Sequence, residues 1–445
     1  MMFSFHKVTE VFMKKWTLGL LLLIVLLLSL PAQELKTDQL ISLAGAMNGS
    51  YSLVYRAQYG EEPFVLTNQN KRPIYDGASL GKTILAALVL SLESEGRLVL
   101  RESVSPWLDA SWSQSSLSEV TPSLLLTHSA GYSNGVVPVD KEIHFPPGSQ
   151  FSYSGAGYIA LQEMVESIMG EEIEKTIQEQ IFQPLGMENS SFVLEKSELS
   201  SKAIPHAHFG LPILIIGILA LFIFALVGLV WRFLILRKPQ AFNRKTWLVL
   251  WGISTLIEGL FMGILLPRFL YLTLIFWGVV GFLMLLMPPG KKGIFLGTAT
   301  LVLCCSAGII LGKGELPIRP EAYSQPVAAY TLQTTAEDLG AFCHALLSNT
   351  KKWGGLFEAQ VHASDEVRWT HGLALEGVEE NPIYWHTGSN MGYKNLMVMN
   401  PQTGMYLVVL SSSDQNEKGI REMGRLAAGG HPSLTIPGLN SSAKP

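Results

Sequence analysis

The sequence predicts an α/β domain delivered in two parts, with four membrane-spanning helices inserted between them. Three observations carry this expectation. Residues 36–205 mix strand-like stretches with helical ones, residues 317–430 do the same, and neither half looks complete by itself. Residues 209–312 hold four long apolar runs in succession, separated by short charged turns. The N-terminus is basic (His6, Lys7, Lys14, Lys15) and is followed by the apolar core LGLLLLIVLLLSL at 18–30.

Those 13 residues are short for a span and typical of a signal peptide. The following PAQE offers a cleavage point near Ala32 or Gln33, and an uncleaved anchor is the alternative for residues 1–33. Either way the chain beyond it is exported. The chain has 445 residues, is 48% hydrophobic and carries a formal charge of −4. Its mean hydropathy is positive. This balance points to membrane segments, and no basic patch suggests nucleic acid. Cys304 and Cys305 lie together in an apolar run and Cys343 stands alone, so neither a metal spacing nor a disulfide framework is present.

In the first half, SYSLVYRAQY reads as a strand, and SLGKTILAALVLSLESEG as a helix from near Ser79 to Gly96. The four runs follow, at 209–231, 246–267, 269–290 and 293–312. Basic residues set their orientation. Arg232, Arg237, Lys238, Arg244 and Lys245 mark the first connection as cytoplasmic, as Lys291 and Lys292 mark the third, while the second holds only Arg268. Both halves of the α/β domain are therefore expected on the outer side. Glu258 sits inside the second run, where a carboxyl is costly and so suggests function, although a protonated or hydrogen-bonded group serves equally well there. In the second half TTAEDLGAFCHALLSN reads as a helix, and NLMVMNPQTGMYLVVLSSS as a hairpin turning at Asn400–Gly404. Residues 431–445 have a loop composition and are expected to be loose.

Chemistry enters at DGASLGKT, residues 76–83. A phosphate-binding loop needs a glycine where Asp76 stands, and Gly77 comes one residue too late. The same letters spell S-x-x-K, Ser79 to Lys82. On a helix these two side chains share a face. A desolvated lysine acts as a base toward a serine hydroxyl, and a helix N-terminus favours an oxyanion. Alone the pattern is weak, because an ordinary surface lysine fits it as well.

The pattern is followed by TPSLLLTHSAGY at 121–132, FPPGSQFSYSGAGYIALQEMVESIMG at 145–170, IFQPLGMENSSF at 181–192, and, beyond the apolar runs, TLQTTAEDLGAF and YWHTGSNMGYKNLMVMNPQTG. In this order and spacing the set resembles the serine β-lactamase and penicillin-binding superfamily, most closely the class C branch with its esterases and D-amino-acid peptidases. The resemblance covers roughly 40–205 and 325–415. It implies an antiparallel sheet flanked by helices, a helical region, and an active site between them. It implies that Ser79 is the acylated nucleophile, that Lys82 handles its proton, and that Tyr153 exchanges protons with the serine and the leaving group. His386, Thr387 and Gly388 match the K-T-G strand lining the site, and the N–H groups of Ser79 and Ser389 would form the oxyanion hole. No cofactor or metal is implied.

Two departures matter. Gly155 stands where the family's Y-x-N asparagine holds the substrate amide, and His386 replaces the K-T-G lysine. Both shift the expectation from β-lactams toward ester or peptide carbonyls. His128, in LLTHSAG, is expected to be hydrogen-bonded support, and His206 and His208 to be interfacial polar residues rather than metal ligands. The expected function is a multi-pass, membrane-anchored extracytoplasmic serine hydrolase acting on a small-molecule or peptidoglycan-type substrate. The alternative is a sensor acylated at Ser79 that signals through its helices to a separate protein partner. Its cytoplasmic loop, about 232–246, is too short to be an effector domain. A transport role around Glu258 is a third reading, and intact Ser79, Lys82 and Tyr153 argue against the degenerate hydrolase it requires.

Overall fold

The computed structural model describes residues 36–112, 116–135, 138–208 and 315–439. The chain divides into two compact units: residues 1–206 with 319–445, and residues 207–318. The expected leader at 1–33, the four apolar runs and Glu258 lie outside the described residues. Among the described residues no helix is long and apolar enough to cross a membrane. The first unit therefore draws its elements from both halves of the chain.

Its centre is an eight-stranded sheet. Helix α1 (36–45) precedes β1 (Tyr51–Arg56) and β2 (Phe64–Thr67), and β3 (Tyr75–Ala78) leads into α2 (Leu80–Ser94). The helical region contains α3 (Pro122–Leu126) and α4 (Gly155–Met169). Short strands β4 (His206–His208) and β5 (Glu315–Pro317) pair with each other, so the chain leaves and returns at neighbouring points. After β6 (Leu332–Thr334) and α5 (Ala336–Ser348) come β7 (Val361–His362), β8 (Arg368–Trp369), β9 (Ala374–Val378), β10 (Asn381–Asn390), β11 (Tyr393–Asn400) and β12 (Met405–Ser411), then α6 (Glu417–Ala428). The strand order is β2-β1-β12-β11-β10-β9-β8-β7, every neighbour antiparallel. The expected hairpin is β11–β12, and β1 closes on β12 through Tyr51 opposite Ser411.

Alternation along the strands builds two cores, one on each sheet face. Leu53, Leu396, Val398, Leu407 and Val409 pack with Leu40 and Ala44 of α1 and Ile420 and Met423 of α6. Val54, Met397, Val408 and Leu410 pack with α2 and with Leu339 and Phe342 of α5. Because both faces are covered, β12 is buried along its whole length and reads as one apolar run. Helix α2 is buried from Leu80 to Leu92, which explains its nearly all-round hydrophobicity. It ends where expected: Gly96 is left-handed (φ +72°), its N–H bonds Glu93 O at 2.8 Å, and Arg97 N–H bonds Leu92 O at 2.9 Å. Thr335 caps α5 by accepting Asp338 N–H, with Glu337 and Asp338 in the first turn.

The stretch after α6, expected to be loose, is packed as far as Leu439. Leu434 is fully buried and Ile436 nearly so. Ser433 N–H and hydroxyl and Leu434 N–H all donate to the Glu376 carboxylate on β9. Two apolar residues spaced two apart were enough to dock a segment whose Gly, Pro and Ser content suggested a tail. Residues 440–445 lie outside the described residues.

Candidate active site

Ser79 stands at the junction of β3 and α2, as the residue capping the helix. The junction is sharply made. The β3–β6 register shifts between Asp76 and Ala78, with Gly77 as the extra residue, and Ala78 takes φ +50°. A left-handed alanine beside Ser79 marks a backbone held by its surroundings.

Lys82 follows one turn later. Its Nζ donates to Ser79 Oγ at 3.0 Å and to Ala329 O at 2.6 Å. The 328–329 backbone reaches this position because Gly81 has no Cβ; one built there would collide with Ala328 O. Lys82 is 2% exposed and, among the described residues, has no carboxylate partner. Burial alone brings its pKa down to about 7. The amine is thus available in its neutral form near neutrality, within hydrogen-bond reach of the serine proton. This placement also disposes of the phosphate-loop alternative: Lys82 faces Ser79, and Thr83 Oγ1 is tied to Gly372 O.

Tyr153 lies across Lys82, with Nζ 5.2 Å from its ring centroid. Burial pushes its phenol well above the usual range, and the Ser79 hydroxyl beside it acts in the opposite direction. It is a neutral phenol next to Ser79. Its position is set by His128, whose carbonyl accepts Ser152 N–H at 2.8 Å and whose Nδ1 accepts Ser154 N–H at 3.0 Å. The ring of His128 is 4.3 Å from that of Tyr153 and is buried, left-handed (φ +56°) and held neutral by desolvation. His128 is therefore the support that its sequence context suggested.

The third wall is β10. Gly388 lies flat against Gly77 O, so any side chain there would separate β10 from the β3–α2 junction. This contact brings the second half of the chain to Ser79. His386 is fully buried; its Nδ1–H donates to Thr387 O, and among the described residues its Nε2 has no hydrogen-bond partner. Burial first, and Lys82 second, lower its pKa to about 3. Where the resembling family carries an ammonium, this site carries a neutral imidazole. Thr387 is half-buried, and Ser389 is exposed, accepting Lys394 Nζ at 2.6 Å. Gly155 is the first residue of α4 and brings no amide to the site; Ser154 caps that helix by accepting Gly157 N–H.

Sequence reasoning did not find Ala329, Trp369 or Phe151. Trp369 and Phe151 join His128, Tyr153 and His386 in one aromatic cluster. A backbone acceptor such as Ala329 leaves no mark in a sequence. His206 sits by Ser412 O, away from these residues in its bonding, and the described residues hold no group of metal-binding side chains.

Comparison with known proteins bears on the fold. The family model described as Beta-lactamase matches residues 67–208. No curated protein matches the chain. Among solved structures, a class C β-lactamase is 13% identical, with 90% of this chain and 96% of that one covered at a TM-score of 0.58. A D-amino acid amidase from Ochrobactrum anthropi is 14% identical, with 90% and 98% covered at 0.57. A penicillin-binding protein from Bacillus halodurans is 16% identical, with 86% and 96% covered at 0.55. The chain thus has the fold of the serine β-lactamase and penicillin-binding superfamily.

Proposed function

We propose that the protein is a serine hydrolase that forms an acyl-enzyme at Ser79 and prefers uncharged ester or amide carbonyls to β-lactams. The observation that carries this is the 3.0 Å approach of a buried, uncompensated Lys82 to Ser79 Oγ. Ser79 Oγ attacks the substrate carbonyl carbon and its proton passes to Lys82 Nζ. The negative carbonyl oxygen is met by the α2 N-terminus and by the backbone N–H groups of Ser79 and Ser389. When the tetrahedral intermediate collapses, the leaving group takes a proton relayed through Tyr153. Water then attacks the acyl-enzyme by the reverse route and frees Ser79. The preference rests on charge: His386, which stands where the resembling family carries an ammonium, is a neutral imidazole, and Gly155 supplies no amide. A panel of p-nitrophenyl butyrate, nitrocefin and D-aminoacyl amides on the purified protein and on Ser79→Ala tests this. A kcat/KM for nitrocefin above that for the ester would reverse the ranking, and equal turnover by Ser79→Ala would remove the serine mechanism.

We further infer that this unit works outside a membrane to which residues 209–312 anchor it, within reach of peptidoglycan-type substrates. The positive-inside pattern of those residues supports this. So does the pairing of β4 with β5, which lets an inserted segment begin and end at one place. In intact cells, with native cysteines replaced, a cysteine near 360 should react with an impermeant maleimide and one near 240 should not. The opposite pattern would place the unit inside.

A further inference from the structure

Asp76 is buried just behind the nucleophile and does not touch it. Its Oδ1 accepts Ala78 N–H at 3.1 Å and Asn390 Nδ2 at 2.8 Å. Its Oδ2 accepts Tyr323 OH at 2.7 Å and Lys202 Nζ at 3.4 Å. Its own carbonyl accepts Asn395 Nδ2 at 2.8 Å. Each partner belongs to a different piece of the site. Ala78 is the left-handed residue immediately before Ser79. Asn390 ends β10, next to Ser389, and its Nδ2 also donates to Tyr330 O, beside the Ala329 carbonyl that holds Lys82. Lys202 precedes β4 and Tyr323 follows β5. These two meet directly, with Lys202 Nζ 4.9 Å from the Tyr323 ring centroid, and Lys202 Nζ also donates to Glu321 O at 3.1 Å. Lys202 is pinned beside β3 by a bridge to Ile74, and Tyr323 by a bridge to Leu194.

A buried ion pair is weak evidence for stability, and in some systems it serves instead to specify one arrangement. Here the pair's side chains are 0% and 2% exposed, and hydrogen bonds fill the remaining positions on the carboxylate. An apolar residue would fill the space, but it would not hold Ala78 N–H and Asn390 in one geometry.

We propose that Asp76 is a positioning residue: through Ala78 and Asn390 it sets the Ser79 backbone against the end of β10, and through Lys202 and Tyr323 it links that geometry to both ends of the 207–318 segment. A shift of either flank reaches the oxyanion-binding backbone through one carboxylate. The proposal rests on the reading of Ser79 as the acylated nucleophile.

Two readouts on the full-length protein separate the proposal from that reading. The first is hydrogen–deuterium exchange of peptides covering 74–82 and 386–392. The second is the rate of fluorophosphonate labelling per folded molecule, across pH, well below the melting temperature. Tyr323→Phe removes one hydrogen bond and no charge, and Asp76→Asn keeps the shape of the carboxylate, so both are expected to fold. Both should raise exchange in the two peptides and slow labelling roughly three- to thirtyfold. The pH midpoint, set by Lys82, should stay in place. Asp76→Asn with Lys202→Met should label no more slowly than Asp76→Asn. Unchanged exchange would overturn the proposal. So would unchanged labelling per folded molecule with only a lower melting temperature, which would leave Asp76 a purely structural role. Raised exchange in a protein never labelled at Ser79 would uphold the positioning and remove the nucleophile.

Discussion

Lys82 and Lys202 are both buried lysines at the same strand-to-helix junction, one bonded to Ser79 and the other to Asp76. Desolvation lowers the pKa of each. At Lys202 it is opposed by Asp76, at 3.4 Å, with Tyr323 and Asn390 completing the carboxylate's bonds. At Lys82, among the described residues, no carboxylate opposes it; the neighbours are a hydroxyl, a carbonyl and two aromatic rings. The difference teaches how one fold uses one residue type twice. A buried lysine beside a carboxylate has its desolvation opposed and is tied into the structure. A buried lysine without one gives its proton up near neutrality and becomes a base.

Replacing each lysine should therefore produce opposite results. Lys82→Met should slow Ser79 acylation by about 10²- to 10⁴-fold, measured with a fluorophosphonate probe, while stability at pH 7 holds or rises. A wild-type acylation rate would end the comparison. At the other pole, Asp76→Ala leaves the buried Lys202 without its carboxylate, and the free energy of unfolding should drop by about 3–5 kcal/mol in a denaturant titration. Asp76→Asn with Lys202→Met should lose less than that, because no charge is left stranded.

The pH dependence sharpens the contrast. Lys82 in the unfolded chain keeps its proton up to about 10.5, and in the fold only to about 7. Between those values the unfolded state binds the extra proton, so the contribution of this residue to stability declines as pH falls from 10.5 to 7 and is constant below. Lys82→Met should flatten that part of the profile. Acylation should instead rise with pH through about 7, as the amine loses its proton. His386 follows the same rule in a lower window. Its folded pKa of about 3 lies below the ordinary 6.5, so the stability of the neutral buried ring is present above 6.5 and is lost as pH falls toward 3. His386→Gln should reduce the loss between pH 7 and pH 4 by roughly 2–3 kcal/mol, read from denaturation midpoints. The smallest effect is expected at Ala78. Glycine would relieve a left-handed strain of about 1–2 kcal/mol and return part of it as unfolded-state entropy, for a net gain between zero and about 1 kcal/mol.

Several elements were legible because their signals are local. Helix α2 follows from its periodicity, its S-x-x-K start and Gly96 at its end. The β11–β12 hairpin follows from two apolar runs around Asn400–Gly404. His128 as support, and the neutrality implied by His386, follow from residue type and neighbours. The incomplete look of each half reflected a real division of labour: β1 and β2 come before the 207–318 segment, and β7 to β12 after it. The short strands β7 and β8 carry too few residues for any period to show.

By itself, then, the sequence marked Ser79, Lys82 and Tyr153 as candidates and predicted the antiparallel α/β class, through short motifs whose order and spacing resemble one superfamily. Only the tertiary structure decided which groups oppose them. The Ala329 carbonyl on Lys82, the Gly388 contact with Gly77, and the convergence of Asp76, Lys202, Tyr323 and Asn390 join residues far apart in the chain. It also decided that residues 431–439 pack, through Leu434 and Ile436. The physical reason is the same in each case: a pKa, a buried ion pair and a docking site are properties of an environment. That environment exists only when distant segments exclude water together.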